Sequence, residues 1–345
     1  MSKIHILQVK HGDAFVIECC QGKNKGVVVV DGGPSGCGYV LTEKLRELGR
    51  PDLMVLTHYD DDHIGGIMQL INECFDDDTI PAKEMWANCA GYVPFNTQTQ
   101  TSAADGAMLS KTLNEMEAKG LIWKDNICEG YKRDLEYATI EVVSPTEAVM
   151  GMAIKKQKEE GEKIFPTKAT TRTDGDLETE MTKLSDGHKP KEANLEKDDE
   201  LANAASIAFI LRCEGLSILM LGDSYPQNVE AYLRGEGYSE SKPLEVDYVK
   251  VSHHGSRNNT SNSLLDIIKC KNYIISTNGG LGVSNHPDRT AIAHILCHPT
   301  RDRNEKVHLY FNHGIDLIEE NGAPFLREGE NDAYNFEIHP NVIGL

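Results

Sequence analysis

The chain has 345 residues, of which 39% are hydrophobic and 26% are charged, a composition typical of a soluble globular protein with one large domain or two average ones. Its net charge of −19 disfavours a surface dedicated to nucleic acid, because such surfaces need clustered lysine and arginine side chains. No apolar run approaches the roughly 20 residues that span a bilayer, the first residues lack the pattern of a signal peptide, and the nine cysteines have no regular spacing, so we expect a reduced, cytoplasmic protein without a membrane partner.

Three strands are predicted at the start of the chain, at residues 4–9, 14–19 and 26–30. Turn residues separate them. The third strand contains four consecutive valines, a pattern typical of a strand buried on both faces. It leads directly into Asp31, which is followed by two glycines.

A predicted helix at residues 40–48 and a short apolar strand at 53–56 come next. That strand leads into the segment Thr57-His58-Tyr59-Asp60-Asp61-Asp62-His63-Ile64-Gly65-Gly66. Apolar residues at helical spacing then predict a helix over residues 65–75. The two glycines allow a close backbone approach where this helix begins.

The same order of elements recurs from about residue 203. A predicted hairpin, at residues 206–213 and 217–221, ends in Gly222-Asp223. A helix at 227–233 and a strand at 246–251 follow, and the strand leads into Ser252-His253-His254-Gly255. Both halves thus run hairpin, acid, helix, strand and histidine. Since α/β sheets bind ligands at strand ends, the repeat places both sets of polar residues where a site is expected.

The remaining segments are less informative. Residues 155–200 are rich in charged and poor in large apolar side chains, so we expect either a solvated helical insertion or a mobile loop, to which a protein partner could dock. We expect this insertion to interrupt a single domain that spans residues 1–345. Towards the C-terminus, a helix is predicted at 289–296 and strands at 307–311 and 314–318.

Four candidate metal ligands, two histidines and two acids, fall within six residues of one another: His58, Asp60, Asp62 and His63. Imidazoles and carboxylates this close disfavour one another unless a cation organises them. In an extended loop alternate residues point the same way, so His58, Asp60 and Asp62 would face one centre and His63 a second. Imidazole and carboxylate ligands suit zinc, with manganese or iron as alternatives. The competing interpretation is an acidic, solvated loop.

The segment matches the signature His-x-[His/Asp]-x-Asp-His of metallo-β-lactamase fold hydrolases. Most of the segment from residue 1 to residue 300 also resembles the soluble metallo-β-lactamase-like domain of the ComEC/Rec2 competence-protein family. The matching segments are Val9-Lys10-His11-Gly12-Asp13-Ala14, Val30-Asp31-Gly32-Gly33, residues 56–66, Asn203-Ala204-Ala205-Ser206, Leu221-Gly222-Asp223, residues 251–256 and Ser284-Asn285-His286-Pro287. The resemblance implies an α/β fold of the αββα type, a four-layer sandwich with two central mixed β-sheets flanked by helices.

The resemblance also implies a site with two divalent metal ions. The implied ligands are His58, Asp60, Asp62, His63, Asp223 and one histidine of the pair His253 and His254. Asp223 would bridge the two ions. We prefer His253 as the ligand because it directly continues the strand, and His254 is the alternative.

Three further residues take roles from the resemblance. Asp31 would orient a ligand histidine, with a turn-forming aspartate as the alternative. His286 would stabilise or protonate a leaving group, with a structural cap as the alternative. Asn203 stands where many members of the fold have another metal-binding histidine, so it would support the site without filling that role, and one metal site would be weaker. His188 lies in the charged insertion, where we expect a solvated side chain.

The implied reaction is hydrolysis, in which a metal-bound hydroxide attacks an electrophilic phosphorus or carbon atom and Asp62 or the water itself handles the proton. We favour a phosphodiester substrate, either single-stranded nucleic acid or a small nucleotide-like molecule. The alternatives are a carboxylic ester, thioester or lactone, or a regulatory module that binds metal without catalysis. The other histidines lack a motif and are interpreted as structural or surface residues: His294, His298, His308, His313 and His339.

Overall fold

A computed structural model of the chain describes residues 1–89, 102–159, 177–178, 198–280, 285–320 and 325–345. The strands in chain order are β1 (Lys3–Ile6), β2 (Phe15–Gln21), β3 (Asn24–Val30), β4 (Leu53–Val55), β5 (Glu84–Trp86), β6 (Ile122–Lys124), β7 (Lys132–Leu135), β8 (Ala138–Ser144), β9 (Ala208–Cys213), β10 (Leu216–Met220), β11 (Leu244–Glu245), β12 (Tyr248–Lys250), β13 (Ile268–Lys269), β14 (Asn272–Ile275), β15 (Val307–Phe311) and β16 (Phe336–His339). The helices are α1 (Gly38–Leu48), α2 (Asp61–Asp76), α3 (Ser102–Glu117), α4 (Glu147–Glu159), α5 (Asp198–Ala204), α6 (Pro226–Gly235), α7 (Asn262–Leu265), α8 (Arg289–Leu296), α9 (Ile315–Glu319) and α10 (Glu330–Ala333). None of the helices in the described ranges is long and apolar enough to cross a bilayer.

The strands form two large mixed sheets. The first has the order β1-β2-β3-β4-β5-β6, and the second has the order β16-β15-β14-β12-β10-β9-β8-β7. Strands β11 and β13 form a separate short pair. In the first sheet β2 and β3 are antiparallel and β3 is parallel to β4. In the second, β9 and β10 are antiparallel and β10 is parallel to β12. The repeat of hairpin, helix and parallel strand that the sequence predicts is therefore confirmed.

The packing of the side chains shows that the sheets and helices form four layers. Phe15 and Val28 of the first sheet share a core with Phe209 and Ile218 of the second, so the two sheets pack face to face. The other face of the first sheet packs against α1, α2 and α3. The other face of the second sheet packs against α6, α7 and α8. The predicted α/β architecture, two mixed sheets flanked by helices, is confirmed.

The valine run in β3 shows why the inner strands form. Val28 and Val30 lie in the core between the sheets, whereas Val29 packs under the helices. Since successive side chains of a strand point to opposite faces, a continuous apolar run such as this one fills both cores.

Two local predictions are wrong. Helix α2 begins at Asp61, before the predicted start at residue 65, so Asp62 and His63 project from a helical turn and not from an extended loop. Residues 314–318 do not form a strand. Gly314 precedes helix α9, and this helix buries only Ile318. Strand β16 takes the place beside β15. Most of the predicted charged insertion at 155–200, with His188 and its proposed docking role, lies outside the described residues.

Candidate metal centre

The polar residues after three strands meet at one edge of the two sheets. Strand β4 leads to His58, β10 leads to Asp223, and β12 leads to the pair His253 and His254. Parallel strands end at the same edge of a sheet, which brings residues that are far apart in the chain together. Gly222 makes the approach of Asp223 possible, since its φ is 50° and a Cβ there would lie 2.4 Å from the Ser206 hydroxyl oxygen.

One group of ligand atoms belongs to His58, His63 and Asp223, all of them buried. The Nε2 atom of His58 lies 3.8 Å from Asp223 Oδ2, and Nε2 of His63 lies 3.5 Å from Asp223 Oδ1. The two imidazole rings are 4.1 Å apart between centroids. The two oxygens of Asp223 therefore face two different histidines.

A second group contains Asp62, His63 and His254. Nε2 of His254 lies 3.2 Å from Asp62 Oδ2, and Nε2 of His63 lies 4.0 Å from Asp62 Oδ1. Asp62 can face both histidines because it occupies the first turn of α2, one residue before His63. The two groups thus lie side by side and meet at His63.

Asp60 and His253 lie at the solvent side of these groups. Oδ2 of Asp60 is 3.7 Å from His58 Nε2, and its side chain is 31% exposed. Nε2 of His253 is 3.7 Å from Asp223 Oδ2. Both histidines of the pair have left-handed backbone, with φ of 47° and 54°, an arrangement that is rare outside glycine and typical of functional sites. This turn sends the adjacent rings in different directions, and His254 is the buried one.

The residues present fit a bound metal ion. His58, His63 and His254 each use Nδ1 for a protein contact: with the Thr57 hydroxyl at 3.1 Å, with Asp31 at 2.8 Å and with the Ser276 carbonyl at 2.8 Å. The opposite Nε2 atoms of all three rings, and Oδ1 of Asp223, are buried without a hydrogen-bond partner among the described residues. Buried polar atoms are almost always paired, so four unpaired atoms in two adjoining groups are a donor set that bound metal ions would satisfy.

The charges of the site are strongly interdependent. Burial opposes ionisation of Asp62 and Asp223, yet the neighbouring histidines hold the pKa of both carboxyls below its usual value. Burial likewise opposes protonation of His63, but the surrounding carboxylates raise its pKa well above the usual value. Such a cluster demands positive charge, which protons or metal ions can supply. By contrast, burial lowers the pKa of His253 to about 4, against the pull of Asp223.

Asp31 holds His63 in place from behind. Its carboxylate accepts hydrogen bonds from the Thr57 backbone N–H, the Thr57 hydroxyl and His63 Nδ1, each at 2.8 Å. Asp31 is fully buried. It contacts a candidate ligand histidine in the way expected of an orienting acid, through the nitrogen that faces away from the centre.

The sequence interpretation missed a buried ion pair beneath the centre. The ammonium group of Lys250, fully buried on β12, forms an ion pair with the carboxylate of Asp13. It also donates to the Gly222 carbonyl at 3.2 Å and lies 3.9 Å from Asp223 Oδ1. The other oxygen of Asp13 is 3.5 Å from His254 Nδ1. A permanent cation thus offsets part of the negative charge of the site and connects two strand ends. In the sequence Asp13 stands out only as part of the segment at residues 9–14, and a lysine within a strand carries no local signal of a buried ion pair.

The structure also places Asn203 and His286. Asn203 is buried at the end of α5, and its backbone carbonyl accepts from Ser206, whose hydroxyl in turn accepts from the Asp223 backbone N–H at 3.0 Å. The ring of His286 is 5.2 Å from that of His253, and its Nδ1 lies 3.6 Å from Asp288. His286 therefore lies next to the outer histidine, and Asn203 is linked to the centre through Ser206.

The first part of the chain matches a family model. Residues 7–84 match the model described as the metallo-beta-lactamase superfamily. This segment contains the residues from His58 to His63, and the two sheets with their outer helices complete the arrangement. The two mixed sheets flanked by helices are consistent with the metallo-β-lactamase fold, to which residues 7–84 are similar. The finer resemblance to the ComEC/Rec2 domain stays a prediction.

Solved structures of metallo-β-lactamase fold proteins are similar over most of the chain at low identity. The metallo-beta-lactamase fold protein YhfI from Bacillus subtilis is 10% identical with a TM-score of 0.42, covering 100% of this chain and 98% of its own. Zn²⁺-bound PqqB from Methylobacterium extorquens is 8% identical with a TM-score of 0.43, covering 99% of each chain. A long form RNase Z from yeast is 11% identical with a TM-score of 0.40, covering 90% of this chain and 36% of its own. The comparison with curated protein sequences found no match.

Proposed function

We propose that this chain is a metal-dependent hydrolase that uses two divalent metal ions, Zn²⁺ foremost, to cleave a phosphodiester. The geometry of Asp223 carries the proposal. Its Oδ2 lies 3.8 Å from His58 Nε2, and its Oδ1 lies 3.5 Å from His63 Nε2. A carboxylate whose two oxygens face different imidazoles would help to hold two ions, and these ions would stabilise the charge that develops in a displacement.

The ligands divide into two sets around this carboxylate. One set is His58, Asp60 and Asp223, and the other is Asp62, His63, His254 and Asp223. We assign His254 in preference to His253, reversing the order that strand continuity suggested. His254 fixes its Nδ1 on the Ser276 carbonyl and leaves Nε2 toward Asp62, as a ligand histidine does. The first set has fewer imidazoles, which agrees with the expected weaker site.

The metal ions, when bound, supply Lewis acidity and make water a nucleophile at neutral pH. The protein residues around them bind, orient and exchange protons. Asp62 stays ionised because the neighbouring histidines hold its pKa below the usual value, so we assign it to binding and not to proton transfer. Lys250 offsets the charge of Asp13 and Asp223 from below.

Proton transfer is assigned to the outer histidines. With a pKa lowered to about 4 by burial, His253 is neutral at pH 7 and can accept a proton or a hydrogen bond. The carboxylate of Asp288 is 3.6 Å from Nδ1 of the neighbouring His286 and can orient its ring. His286 can then donate a proton to the departing oxygen of the substrate.

The substrate class is the finer part of the proposal. Several carboxylates in a two-metal site favour transfer at phosphorus, where charge spreads over several oxygens. The net charge of −19 favours a small nucleotide-like molecule over long single-stranded nucleic acid. The same charge is compatible with a neutral ester, thioester or lactone, which remains the second candidate.

The test is a side-by-side assay of the Zn²⁺- and Mn²⁺-loaded protein. The substrates are bis-p-nitrophenyl phosphate, a dinucleotide, single-stranded DNA, and p-nitrophenyl acetate with a thioester and a lactone. Phosphodiester turnover that is lost in Asp223→Asn and kept in Glu18→Gln, a remote variant, is the expected result. Turnover of the carboxyl substrates alone would replace the phosphodiester assignment. Stoichiometric zinc with no turnover of any kind would indicate a regulatory metal-binding module.

A further inference from the structure

A second cluster of metal-ligand side chains lies on strands β15 and β16, away from the strand ends that form the candidate centre. His308 of β15 pairs in register with Glu337 of β16, and Tyr310 pairs with His339. Since side chains alternate along a strand, these four residues share one face, while Leu309 and Phe336 pack into the core on the other. The cluster therefore follows from strand register and does not depend on a loop.

Three of these side chains converge. Nδ1 of His308 lies 2.9 Å from Nε2 of His339, and Oε2 of Glu337 lies 3.9 Å from His308 Nδ1. One ligand atom from each of the three residues lies within 4.8 Å of the others. In a tetrahedral zinc site the nitrogens lie about 3.3 Å apart, given Zn–N bonds of about 2.0–2.1 Å. Widening the gap between the two rings by a few tenths of an ångström is a small rotation of partly exposed side chains.

Tyr310 orients both rings. Its ring stacks on His339 with 4.6 Å between centroids and an angle of 15°, and on His308 with 6.2 Å and 27°. Stacking against an aromatic ring that is itself held in the sheet limits the rotamers of the two histidines. The competing contact of Glu337 with Lys306, at 3.4 Å, joins two side chains that are both about half exposed, so it is weak and easily exchanged.

We propose that His308, Glu337 and His339 form a binding site for a divalent transition metal ion of the zinc class, separate from the candidate centre. Two imidazole nitrogens and one carboxylate oxygen are a ligand set that zinc and copper prefer over magnesium or calcium. Three protein ligands leave one coordination position open to solvent. This assigns a role to two histidines that sequence motifs leave unexplained.

The experiment measures zinc bound per chain by equilibrium dialysis and elemental analysis. We expect His308→Gln combined with His339→Gln to bind one zinc ion fewer than the wild-type protein. The matched control is His5→Gln, since His5 also lies on a strand and contacts one glutamate, Glu18, at 2.7 Å, but belongs to no metal-ligand cluster among the described residues. His5→Gln should keep the wild-type stoichiometry. The exposed positions of the cluster allow these changes without unfolding, which the far-ultraviolet spectrum checks.

Equal zinc content in the wild-type protein and the double variant would overturn the proposal and reduce the cluster to a hydrogen bond between two imidazoles. An equal loss in His5→Gln would also overturn it, because the binding would then be nonspecific. Zinc content is also compared with and without the two histidine substitutions in the Asp223→Asn background. This comparison tests the second site independently of the proposed hydrolase function. A difference of one zinc ion between proteins with and without His308 and His339 is expected there even if the candidate centre binds nothing.

Discussion

The two halves of the molecule build the same elements and give their acids different roles. Asp31 follows the second strand of the β2–β3 hairpin, and Asp223 follows the second strand of the β9–β10 hairpin. Both carboxylates are buried. Asp31 accepts three hydrogen bonds, from Thr57 twice and from His63. Oδ1 of Asp223, in contrast, has no hydrogen-bond partner among the described residues.

This difference teaches that position after a strand does not by itself make a ligand. A carboxylate whose oxygens already accept several hydrogen bonds is suited to orient a neighbouring histidine, as Asp31 contacts His63. A carboxylate left unsatisfied between several imidazoles is suited to bind a cation. Asp31 and Asp223 occupy equivalent places in the repeated order of elements. The hydrogen-bond donors around each carboxylate distinguish their proposed roles.

Asp223→Asn should have the largest effect on function. The amide keeps the shape of the side chain but removes its negative charge where two histidines face it. We expect zinc binding and phosphodiester turnover to fall by more than the roughly 10- to 100-fold typical of residues that only orient a ligand. Stopped assays of turnover and zinc titration measure both. Retention of more than a tenth of the wild-type rate would contradict a bridging role for Asp223.

Lys250→Met should have the largest effect on stability. The substitution leaves the carboxylate of Asp13 buried without its cation, which costs about 3–5 kcal/mol for buried pairs. Urea unfolding of the metal-free protein measures the change in free energy.

Two further variants interpret that change. Lys83→Met, which removes an exposed lysine that pairs with Asp52, should cost only about 0–1 kcal/mol. Adding Asp13→Asn to Lys250→Met should recover part of the loss, because the unpaired charge is then gone. A double variant no more stable than Lys250→Met would mean that Lys250 acts through packing alone.

Asp31→Asn tests the other half of the comparison. Asparagine tolerates the left-handed backbone of this position, where φ is 58°, so the fold should persist. Its amide can still accept from Thr57 but presents one acceptor fewer to His63. We expect zinc affinity to fall about 10- to 100-fold, less than in Asp223→Asn. An equal loss in both variants would remove the distinction between orienting and bridging acids.

The sequence predicted the centre where the signal was local, and it failed where tertiary contacts decide. The spacing from His58 to His63 predicts a metal-binding segment, and the resemblance implies that Asp223 joins it. The structure brings Asp223 next to His58 and His63. The sequence does not identify which of His253 and His254 is the better ligand, because the direction of each ring depends on two successive left-handed residues. Lys250 and Asp13 are distant in the chain, and each has an ordinary local context, so only the folded sheet shows their pairing.

Fold prediction divided in the same way. The runs of β-branched residues and the helical spacing of apolar residues placed the repeated units, since these patterns report burial directly. The start of α2 was misplaced because acidic residues interrupt the apolar pattern, although carboxylates in the first turn favour a helix N-terminus. The apolar residues of the segment 314–318 fit a strand period no better than a helical period. The secondary structure of such a short segment is decided by its packing.

The smallest effect concerns a histidine that has no acid beside it. His294 in α8 is buried, and burial followed by the nearby His298 lowers its pKa to about 4. His63, with Asp31 and Asp223 beside it, shows the opposite shift. Because the unfolded chain binds a proton near pH 6.5 and the folded ring resists it down to about 4, the two states bind different numbers of protons between these pH values. The stability of the fold therefore decreases as the pH falls from 6.5 toward 4.

His294→Gln removes this titration and should retain a hydrogen bond to Asn262, whose side-chain oxygen lies 2.6 Å from His294 Nδ1. Between pH 7 and pH 5 we expect the wild-type protein to lose about 1–2 kcal/mol more unfolding free energy than this variant. Urea unfolding in the presence of chelator at both pH values checks the difference. Equal losses of unfolding free energy in the two proteins would mean that His294 is protonated in the folded protein at no cost. The expected contrast between His294 and His63 would then be wrong.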